Sequence, residues 1–418
     1  MNDPPGTQPP TWYHAEAPEN AKRPALKGAE TADLCVIGAG FTGLSAALHA
    51  AKAGLHVIVL EARQLGFGAS GRNGGQIGSG FNWSLRDLEA KLGKPKTKAL
   101  FDLAEEGKDL AKHFAQDSFR PGVINAVLTQ AEEHHLHKDT EHEIAYYGEA
   151  LKWMSKEELS QRIGSEAYRA GALDTSAGFC NPVLSLQRLS QACEALGVQI
   201  FEQSLVHHLA SGEVRTDAGR ITAKAILLAT NGYGPELTRK SAARVLPINN
   251  YIAVTEPLGA RAPMSAPVAV ADSRFVVNYF WQTADGRLLY GGGESYGKRF
   301  PNNIESRLRR NLARTYPDLQ DVRFDYAWGG TLGITATRLP YIGETEKNVF
   351  VASGFSGHGL SLTHAAGKAV AKAIAGDASD LELLSSLPTP ALPGGALLGQ
   401  AITNSAMAFA SLRDRLRS

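Results

Sequence analysis

A glycine-rich segment near the N-terminal end of the chain has the residue types and spacing of a diphosphate-binding loop. It reads Gly38-Ala39-Gly40-Phe41-Thr42-Gly43 and will be called the glycine loop. In this pattern the first glycine permits a sharp turn, the second lets the backbone approach a pyrophosphate, and the third lets a helix pack closely on a strand. The N-terminus of that helix offers free N–H groups and a positive dipole end to phosphates. The segment therefore predicts dinucleotide binding.

The elements around the glycine loop are those that would position it. Residues 34–37 are a short apolar run, residues 41–53 are rich in Ala and Leu, and Gly54 stands where a helix cap is expected. Residues 57–60 form a second apolar run, which ends at Glu61, the position of an acid that hydrogen-bonds a ribose. Strand, helix and strand within about 30 residues predict a βαβ unit with parallel strands.

Two further glycine clusters help to decide whether the dinucleotide is FAD or a nicotinamide cofactor. The second glycine segment, residues 66–76, contains Ser70, Arg72, Asn73 and Gln76 among its glycines, and the third, residues 353–359, again stands between an apolar run and a helical pattern. An extended, enclosed cofactor needs contacts along its whole length, whereas a nicotinamide cofactor that comes and goes needs fewer. The three clusters favour FAD.

The rest of the chain predicts an α/β (α+β) fold with a discontinuous Rossmann-type FAD-binding domain and an inserted, mostly antiparallel β-sheet substrate domain. Extended runs at 245–255, 275–282 and 287–290, with a hairpin turn at 284–286, lie between the nucleotide-type strands and the third glycine segment. The predicted parts are an N-terminal arm (1–30), the FAD-binding domain (31–84, 180–240 and 340–378), the substrate domain (85–179 and 241–339) and a C-terminal tail (379–418).

Composition excludes several classes of protein. The 418 residues are 43% hydrophobic and 20% charged, with a net charge of +1, which argues against a nucleic-acid partner. The three cysteines are widely spaced, so we expect no disulfide framework. No apolar stretch reaches about 18 residues, so we expect no membrane span. No secretory leader is recognisable, so we expect a cytoplasmic location. The histidines at 134, 135, 137 and 142 are interpreted as a surface helix rather than a metal site.

Candidate substrate contacts lie in the antiparallel region. Tyr251, Tyr279 and Trp281 are on predicted strands, and the last two share one face because they are two residues apart. This face is either core or pocket wall. Arg338 either pairs with a substrate carboxylate or bonds backbone carbonyls. Lys298 and Arg299 are in a predicted exposed loop and could also meet an acidic substrate.

These motifs together resemble the D-amino-acid oxidase/sarcosine oxidase superfamily of FAD enzymes. The resemblance rests on residues 33–61, 66–76 and 354–359. Within the superfamily it is closer to γ-glutamylputrescine oxidase-like enzymes, through residues 66–77, 326–328 and 338–340 and through Pro393-Gly394-Gly395.

The resemblance implies a role for each matching residue. The glycine loop would contact the pyrophosphate, Glu61 the ribose and Val206 the adenine, while the second glycine segment would run toward the isoalloxazine and His358 would lie near it. FAD would be non-covalent, because residues 331–338 contain no cysteine. The predicted cofactor contacts are Gly38, Ala39, Gly40, Phe41, Thr42, Gly43, Glu61, Ala62, Ser70, Arg72, Asn73, Gly74, Gly75, Gln76, Val206, Gly354, Phe355, Gly357, His358 and Gly359.

The implied activity is oxidation of an amine or amino acid to an imine that hydrolyses to an aldehyde or oxo acid, with electrons passing to O2 to give H2O2. His358, Tyr279 and Arg338 are the predicted catalytic residues. An alternative is a dehydrogenase of N-substituted amino acids with a non-oxygen acceptor. This alternative is supported by residues 288–290, because they lack the lysine that activates dioxygen in sarcosine oxidases. A third possibility is a flavin-bearing binding module without turnover.

Overall fold

The computed structural model describes residues 7–148, 150–210, 212–296 and 299–392. Lys298, the first six residues of the predicted arm and the tail from Pro393 onward lie outside the described residues.

Within these ranges the β-strands are β1 (Gly28–Ile37), β2 (Val57–Leu60), β3 (Gln76–Ile77), β4 (Arg120–Val127), β5 (Leu151–Met154), β6 (Ala170–Phe179), β7 (Gln199–Phe201), β8 (His208–Ala210), β9 (Glu213–Arg215), β10 (Gly219–Leu228), β11 (Leu246–Thr255), β12 (Ala269–Asp272), β13 (Tyr279–Gln282), β14 (Leu288–Tyr296), β15 (Phe324–Ile334), β16 (Tyr341–Glu346) and β17 (Val349–Ser353). The α-helices are α1 (Trp12–Glu16), α2 (Phe41–Lys52), α3 (Leu85–Leu92), α4 (Lys94–Ala115), α5 (Gln130–Tyr147), α6 (Lys156–Ile163), α7 (Pro182–Ala195), α8 (Arg239–Ala242), α9 (Ile304–Thr315), α10 (Gly359–Ile374) and α11 (Ser379–Ser385).

The first sheet contains the nucleotide-type strands. Its main order is β16-β17-β10-β1-β2-β7, with β10, β1, β2 and β7 parallel and β17 parallel to β10. All four residues of β2 are buried, as expected for a parallel strand covered on both faces. Helices α2, α4, α7 and α10 cover one face and share a core with the sheet.

The second sheet holds the antiparallel material. Its main order is β15-β11-β14-β13-β12-β4-β6-β3, with β5 paired to β6, and its neighbours are antiparallel except for β12 and β4. The predicted hairpin turn joins β13 to β14, and Gly286 there has φ of +80°. Phe280 stacks on Tyr290 in a core that α9 also covers.

Segments of the chain that belong to the first sheet alternate along the sequence with segments that belong to the second. Strands β1, β2, β7–β10, β16 and β17 belong to the first, and β3–β6 and β11–β15 to the second. The predicted fold class, with a discontinuous Rossmann-type unit and an inserted antiparallel sheet, is confirmed. The exact domain boundaries stay predictions. Helix α4, assigned to the substrate domain on sequence, packs against α10 in the core of the first sheet.

Local structure departs from the sequence-based expectation at three places. Residues 85–116 have apolar residues at helical spacing, which predicts one helix, but they form two, because Gly93 has φ of +82° and ends α3. The sequence has two separate strand-like runs at 220–222 and 225–228, and both belong to one strand, β10, which is aligned along β1. The predicted arm contains α1, whose Trp12 and Tyr13 are buried.

The histidine-rich stretch forms α5, which begins with a capping box between Thr129 and Glu132. Across the described ranges no group of His, Cys, Asp or Glu side chains is arranged to hold a metal ion. Among the helices described, each is too short or too polar to span a bilayer.

Candidate functional site

A cavity of about 980 Å³ lies between the two sheets. Ile37, Leu60 and Ala229 line it, and these residues end or directly follow the parallel strands β1, β2 and β10. Ligands bind at this edge of open parallel sheets, because the loops that follow the strands leave a crevice there. The volume is at the upper end of the range for small-molecule and cofactor sites.

The glycine loop forms one wall of the cavity and depends on its glycines. Gly38 has φ of +107°, and a Cβ added there would lie 2.8 Å from the carbonyl oxygen of Ala229. A Cβ on Gly40 would lie 2.8 Å from Oγ of Ser70. Gly43 does not line the cavity. Its Cβ would overlap the carbonyl oxygen of Gly38, so this glycine sets the distance between loop and helix.

Helix α2 begins at the cavity, and its N-cap residue has no side chain that could cap it. Its N-cap residue is Gly40, and the Phe41 N–H donates to Oγ of Ser70 at 3.1 Å. A helix N-terminus next to a cavity is a ready anion site, because its N–H groups and dipole favour negative charge.

Glu61 is fixed at the end of β2. Its carboxylate accepts hydrogen bonds from the N–H groups of Ala39 at 3.0 Å and Arg63 at 2.9 Å. Burial raises the pKa of Glu61, and these backbone N–H groups oppose that shift. Glu61 and Ala62 line the same end of the cavity as residues 204–209, among them Val206.

Polar side chains of the second glycine segment hold its own backbone. Arg72 is buried and donates to the carbonyl oxygens of Phe67 at 2.6 Å and Gly329 at 2.9 Å. Asn73 donates to the carbonyl oxygens of Ala69 and Ser70 and accepts from the N–H of Gly75. Ser70, Arg72, Asn73, Gly74 and Gln76 all line the cavity. Gly75 does not; with φ of +72°, its Cβ would overlap the Cys180 carbonyl oxygen.

Tyr279 occupies the wall contributed by the second sheet. A Cβ on Gly74 would lie 2.7 Å from its ring, and one on Gly291 would overlap the ring. The hydroxyl of Tyr279 donates to Oδ1 of Asn250 at 2.5 Å. Two glycines and one hydrogen bond therefore fix the ring in a single place on the cavity wall.

Arg338 bonds a backbone carbonyl, one of the two roles considered for it, and it also lines the cavity; its pairing with a substrate carboxylate stays a prediction. It lines the cavity, its guanidinium lies 4.4 Å from the centre of the Phe275 ring, and Nη2 donates to the Phe275 carbonyl oxygen at 3.3 Å. Its φ is +63°, an uncommon value for a residue other than glycine. Nδ2 of Asn82 donates to the Arg338 carbonyl oxygen at 3.1 Å and so supports this backbone.

His358 lies at the start of α10, in the third glycine segment. His358 is the N-cap residue of α10, and it lines the cavity with its side chain exposed there. Burial and the nearby Arg338 charge lower the pKa of His358, so its imidazole is neutral at neutral pH. Phe355, Gly357 and Gly359 line the cavity beside it, whereas Gly354 does not.

Two predicted substrate residues are not on the cavity. Tyr251 is fully buried in the core of the second sheet and donates to Oγ of Ser295. Trp281 packs on Trp12 and Phe179, and its Nε1 donates to the Gly74 carbonyl oxygen at 2.8 Å. Of these three aromatic residues, only Tyr279 lines the cavity, because the other two side chains are held in the core by their own partners.

Sequence reasoning missed several lining residues. Asn231, which follows β10, lines the cavity, and its Oδ1 accepts from the Gly354 N–H at 2.9 Å. Asn249, Asn250 and Glu294 line the cavity from β11 and β14. The pair of asparagines inside an apolar strand was the available signal, since a polar pair in such a run needs partners.

These features fit the cofactor predicted from the three glycine clusters. A single cavity contains three such features. They are the glycine loop, where added side chains would fill the space, the N-terminus of α2, and the buried carboxylate of Glu61. Residues 33–373 match the family described as FAD dependent oxidoreductase. The chain belongs to this family. It is accordingly an FAD-dependent oxidoreductase, and the predicted cofactor and enzyme class are confirmed.

Similar proteins include two bacterial relatives that match almost from end to end. The chain is 37% identical to a probable oxidoreductase, OrdL, of Rhizobium meliloti (strain 1021), over 97% of each chain. It is 34% identical to γ-glutamylputrescine oxidoreductase of Escherichia coli (strain K12), covering 97% of this chain and 98% of the relative. The predicted resemblance is confirmed at this level.

Solved structures support the fold. L-proline dehydrogenase from P. horikoshii superposes with a TM-score of 0.70 at 21% identity, covering 83% of this chain and 94% of that one. Glycine oxidase from Geobacillus kaustophilus superposes with a TM-score of 0.67 at 22% identity, covering 82% and 95%.

Proposed function

We propose that this family member oxidises the C–N bond of an amine or amino acid, in the manner of γ-glutamylputrescine oxidoreductase. The observation that carries the proposal is one continuous cavity. It joins the glycine loop and Glu61 at one end to Tyr279, Arg338 and His358 at the other. The near full-length similarity to γ-glutamylputrescine oxidoreductase supports this substrate class.

FAD would be held without a covalent bond along the first part of the cavity. The N-terminus of α2 and the glycine loop would bind its diphosphate, Glu61 and Val206 its adenosine, and the second glycine segment the stretch toward the flavin ring. Among the described residues that line the cavity there is no cysteine, which supports non-covalent binding.

The residues at the other end suit an amine substrate. When bound, FAD accepts a hydride from the carbon next to the substrate nitrogen. Arg338 would pair with a substrate carboxylate, and its positive charge disfavours a protonated amine nearby. The neutral imidazole of His358 would take the proton that the ammonium form must lose. Tyr279 would form the fixed wall against which the substrate packs.

The overall change balances with dioxygen and water as co-reactants. The C–N unit loses two electrons and two protons to become an imine, and water adds to the imine to release ammonia or an amine and leave an aldehyde or oxo acid. Two electrons and two protons reduce O2 to H2O2.

A second candidate is a dehydrogenase that passes electrons to an acceptor other than oxygen. The resemblance to sarcosine oxidases implies a lysine that activates dioxygen in this strand, where this chain has Leu288 and Leu289, which are buried in the core. The described lining of the cavity also contains no lysine. A slow reaction with oxygen would follow from this difference.

An anaerobic screen tests the proposal. Purified protein is mixed with γ-glutamylputrescine, sarcosine or glycine, and the visible flavin absorbance is followed. We expect one of these amines to bleach it within seconds, and we expect H2O2 when air is admitted. Bleaching that persists in air, with little peroxide formed, would identify the dehydrogenase. A yellow protein that no amine bleaches would refute amine oxidation and support a binding module.

A further inference from the structure

The short helix α1 lies directly behind the second glycine segment, outside residues 33–373 that match the family. Five residues are too few for a helix to be stable alone. Thr11 caps it, accepting from the His14 N–H at 3.2 Å, and Nδ2 of Asn181 donates to the Tyr13 carbonyl oxygen at 3.1 Å. Tyr13 has 0% exposure and Trp12 has 9%, so burial against the body holds α1 in place.

The buried rings of α1 contact two tryptophans that hold the second glycine segment. The Trp12 ring centre lies 5.8 Å from that of Trp281, and the Tyr13 ring centre lies 5.5 Å from that of Trp328. Nε1 of Trp281 donates to the Gly74 carbonyl oxygen at 2.8 Å, and Nε1 of Trp328 donates to the Arg72 carbonyl oxygen at 3.1 Å. The backbone on both sides of Asn73 is therefore fixed by indoles that α1 packs against.

Two side chains of α1 also touch the segment itself. The Tyr13 hydroxyl lies 3.3 Å from the position of a Cβ on Gly75, and Nε2 of His14 lies 3.2 Å from that on Gly66. Both polar atoms are buried without a hydrogen-bond partner in the described part of the chain. Burying a polar atom without a hydrogen-bond partner costs free energy. Tyr13 and His14 therefore contact the segment through the fit of their side chains, and not through hydrogen bonds from these two atoms.

We propose that α1 is a positioning element for the cavity wall formed by the second glycine segment, with Tyr13 as its central positioning residue. Removing the Tyr13 ring leaves Trp281 and Trp328 free to shift, and with them the carbonyls of Gly74 and Arg72. Gly74 in turn packs on the Tyr279 ring. The displacement reaches both the FAD contacts and the substrate wall that the proposed function assigns here.

The test compares Tyr13→Ala and Tyr13→Phe in the full chain, with Tyr316→Ala as a control. Tyr316 is also a buried tyrosine, but it packs on Phe280 in the core of the second sheet and does not line the cavity. The measurements are the Kd of the apoprotein for FAD, the visible spectrum of bound flavin and thermal stability. None of these needs an amine substrate, so a failure of the proposed amine oxidation leaves the test intact.

We expect Tyr13→Ala to raise the Kd for FAD about tenfold to a hundredfold, as the loss of residues that orient ligand-holding groups does, and to shift the flavin spectrum. Tyr13→Phe, which keeps the ring, should retain both properties. Tyr316→Ala should lose stability only. If Tyr13→Ala does not fold, Trp12→Leu provides a second test, since it removes the ring contacts with Trp281 and Tyr13 but keeps the Tyr13 ring. An unchanged Kd and spectrum in the folded variant would overturn the proposal.

Discussion

Replacing Gly43 by alanine should separate the glycine loop from helix α2. The new Cβ would overlap the Gly38 carbonyl oxygen and lie 2.9 Å from Cγ1 of Val36. The helix must move away by about 1 Å to relieve the overlap. Alanine gains about 0.8–1.0 kcal/mol in helix propensity, but the overlap involves backbone atoms that cannot rotate away. We expect a net loss of about 1–3 kcal/mol in the free energy of unfolding.

The larger effect of Gly43→Ala should be on the cofactor. A helix N-terminus displaced by that distance loses the equivalent of one hydrogen bond to a charged group, about 1.5–3 kcal/mol. This loss corresponds to about a 10- to 100-fold higher Kd for FAD. Urea unfolding of the apoprotein measures the first quantity, and titration with FAD followed by flavin fluorescence measures the second.

Gly54→Ala is the matched control at the other end of α2. Gly54 has φ of +84° and nothing within 4 Å of its Cβ position, so alanine there costs about 1–2 kcal/mol of backbone strain without touching the loop. It should destabilise the protein but leave the Kd for FAD unchanged. Equal Kd values for Gly43→Ala and the wild type would refute the reasoning.

Three further outcomes follow from the cavity and the core. Glu61→Gln replaces one of the two oxygens that accept from backbone N–H groups by an NH2 donor. It should raise the Kd for FAD about tenfold, measured by fluorescence titration, and an unchanged Kd would exclude Glu61 from cofactor binding. Arg338→Gln should raise KM at least about tenfold for amines that carry a carboxylate. Because the Arg338 charge lowers the pKa of His358, the substitution should also move the acidic limb of the kcat/KM profile to higher pH. An equal KM effect on amines without a carboxylate would contradict the pairing of Arg338 with a substrate carboxylate. Burial lowers the pKa of His364 from 6.5 to about 3, so between these two pH values the unfolded chain binds a proton that the folded chain does not. The free energy of unfolding should therefore fall with decreasing pH by up to about 1.4 kcal/mol per pH unit. His364→Leu should flatten this dependence in urea titrations, and an unaltered slope would contradict the role of His364.

The part of the site that lies within one βαβ unit was predictable because local spacing determines it. The glycine loop, α2 and Glu61 are close in sequence, so strand and helix periods alone bring them together at the cavity. The same holds for the hairpin turn at Gly286, where the chain reverses over a few residues.

Contacts between distant segments were not predictable in this way. Tyr279 and Trp281 share a face of β13, yet only Tyr279 lines the cavity, because the Trp281 indole is taken up by the Gly74 carbonyl and by rings from α1 and β6. Asn231 likewise meets Gly354 only because β10 and β17 are neighbours in the first sheet.

By itself the sequence determined the nucleotide-type βαβ unit, the fold class and the kind of cofactor, since glycine spacing and apolar periodicity act over a few residues. Tertiary structure alone decided which aromatic residues face the cavity, how Arg338 adopts a positive φ beside Phe275, and that α1 packs behind the second glycine segment. Those outcomes depend on which strands become neighbours and on competition for buried space and hydrogen-bond partners between segments far apart in the chain.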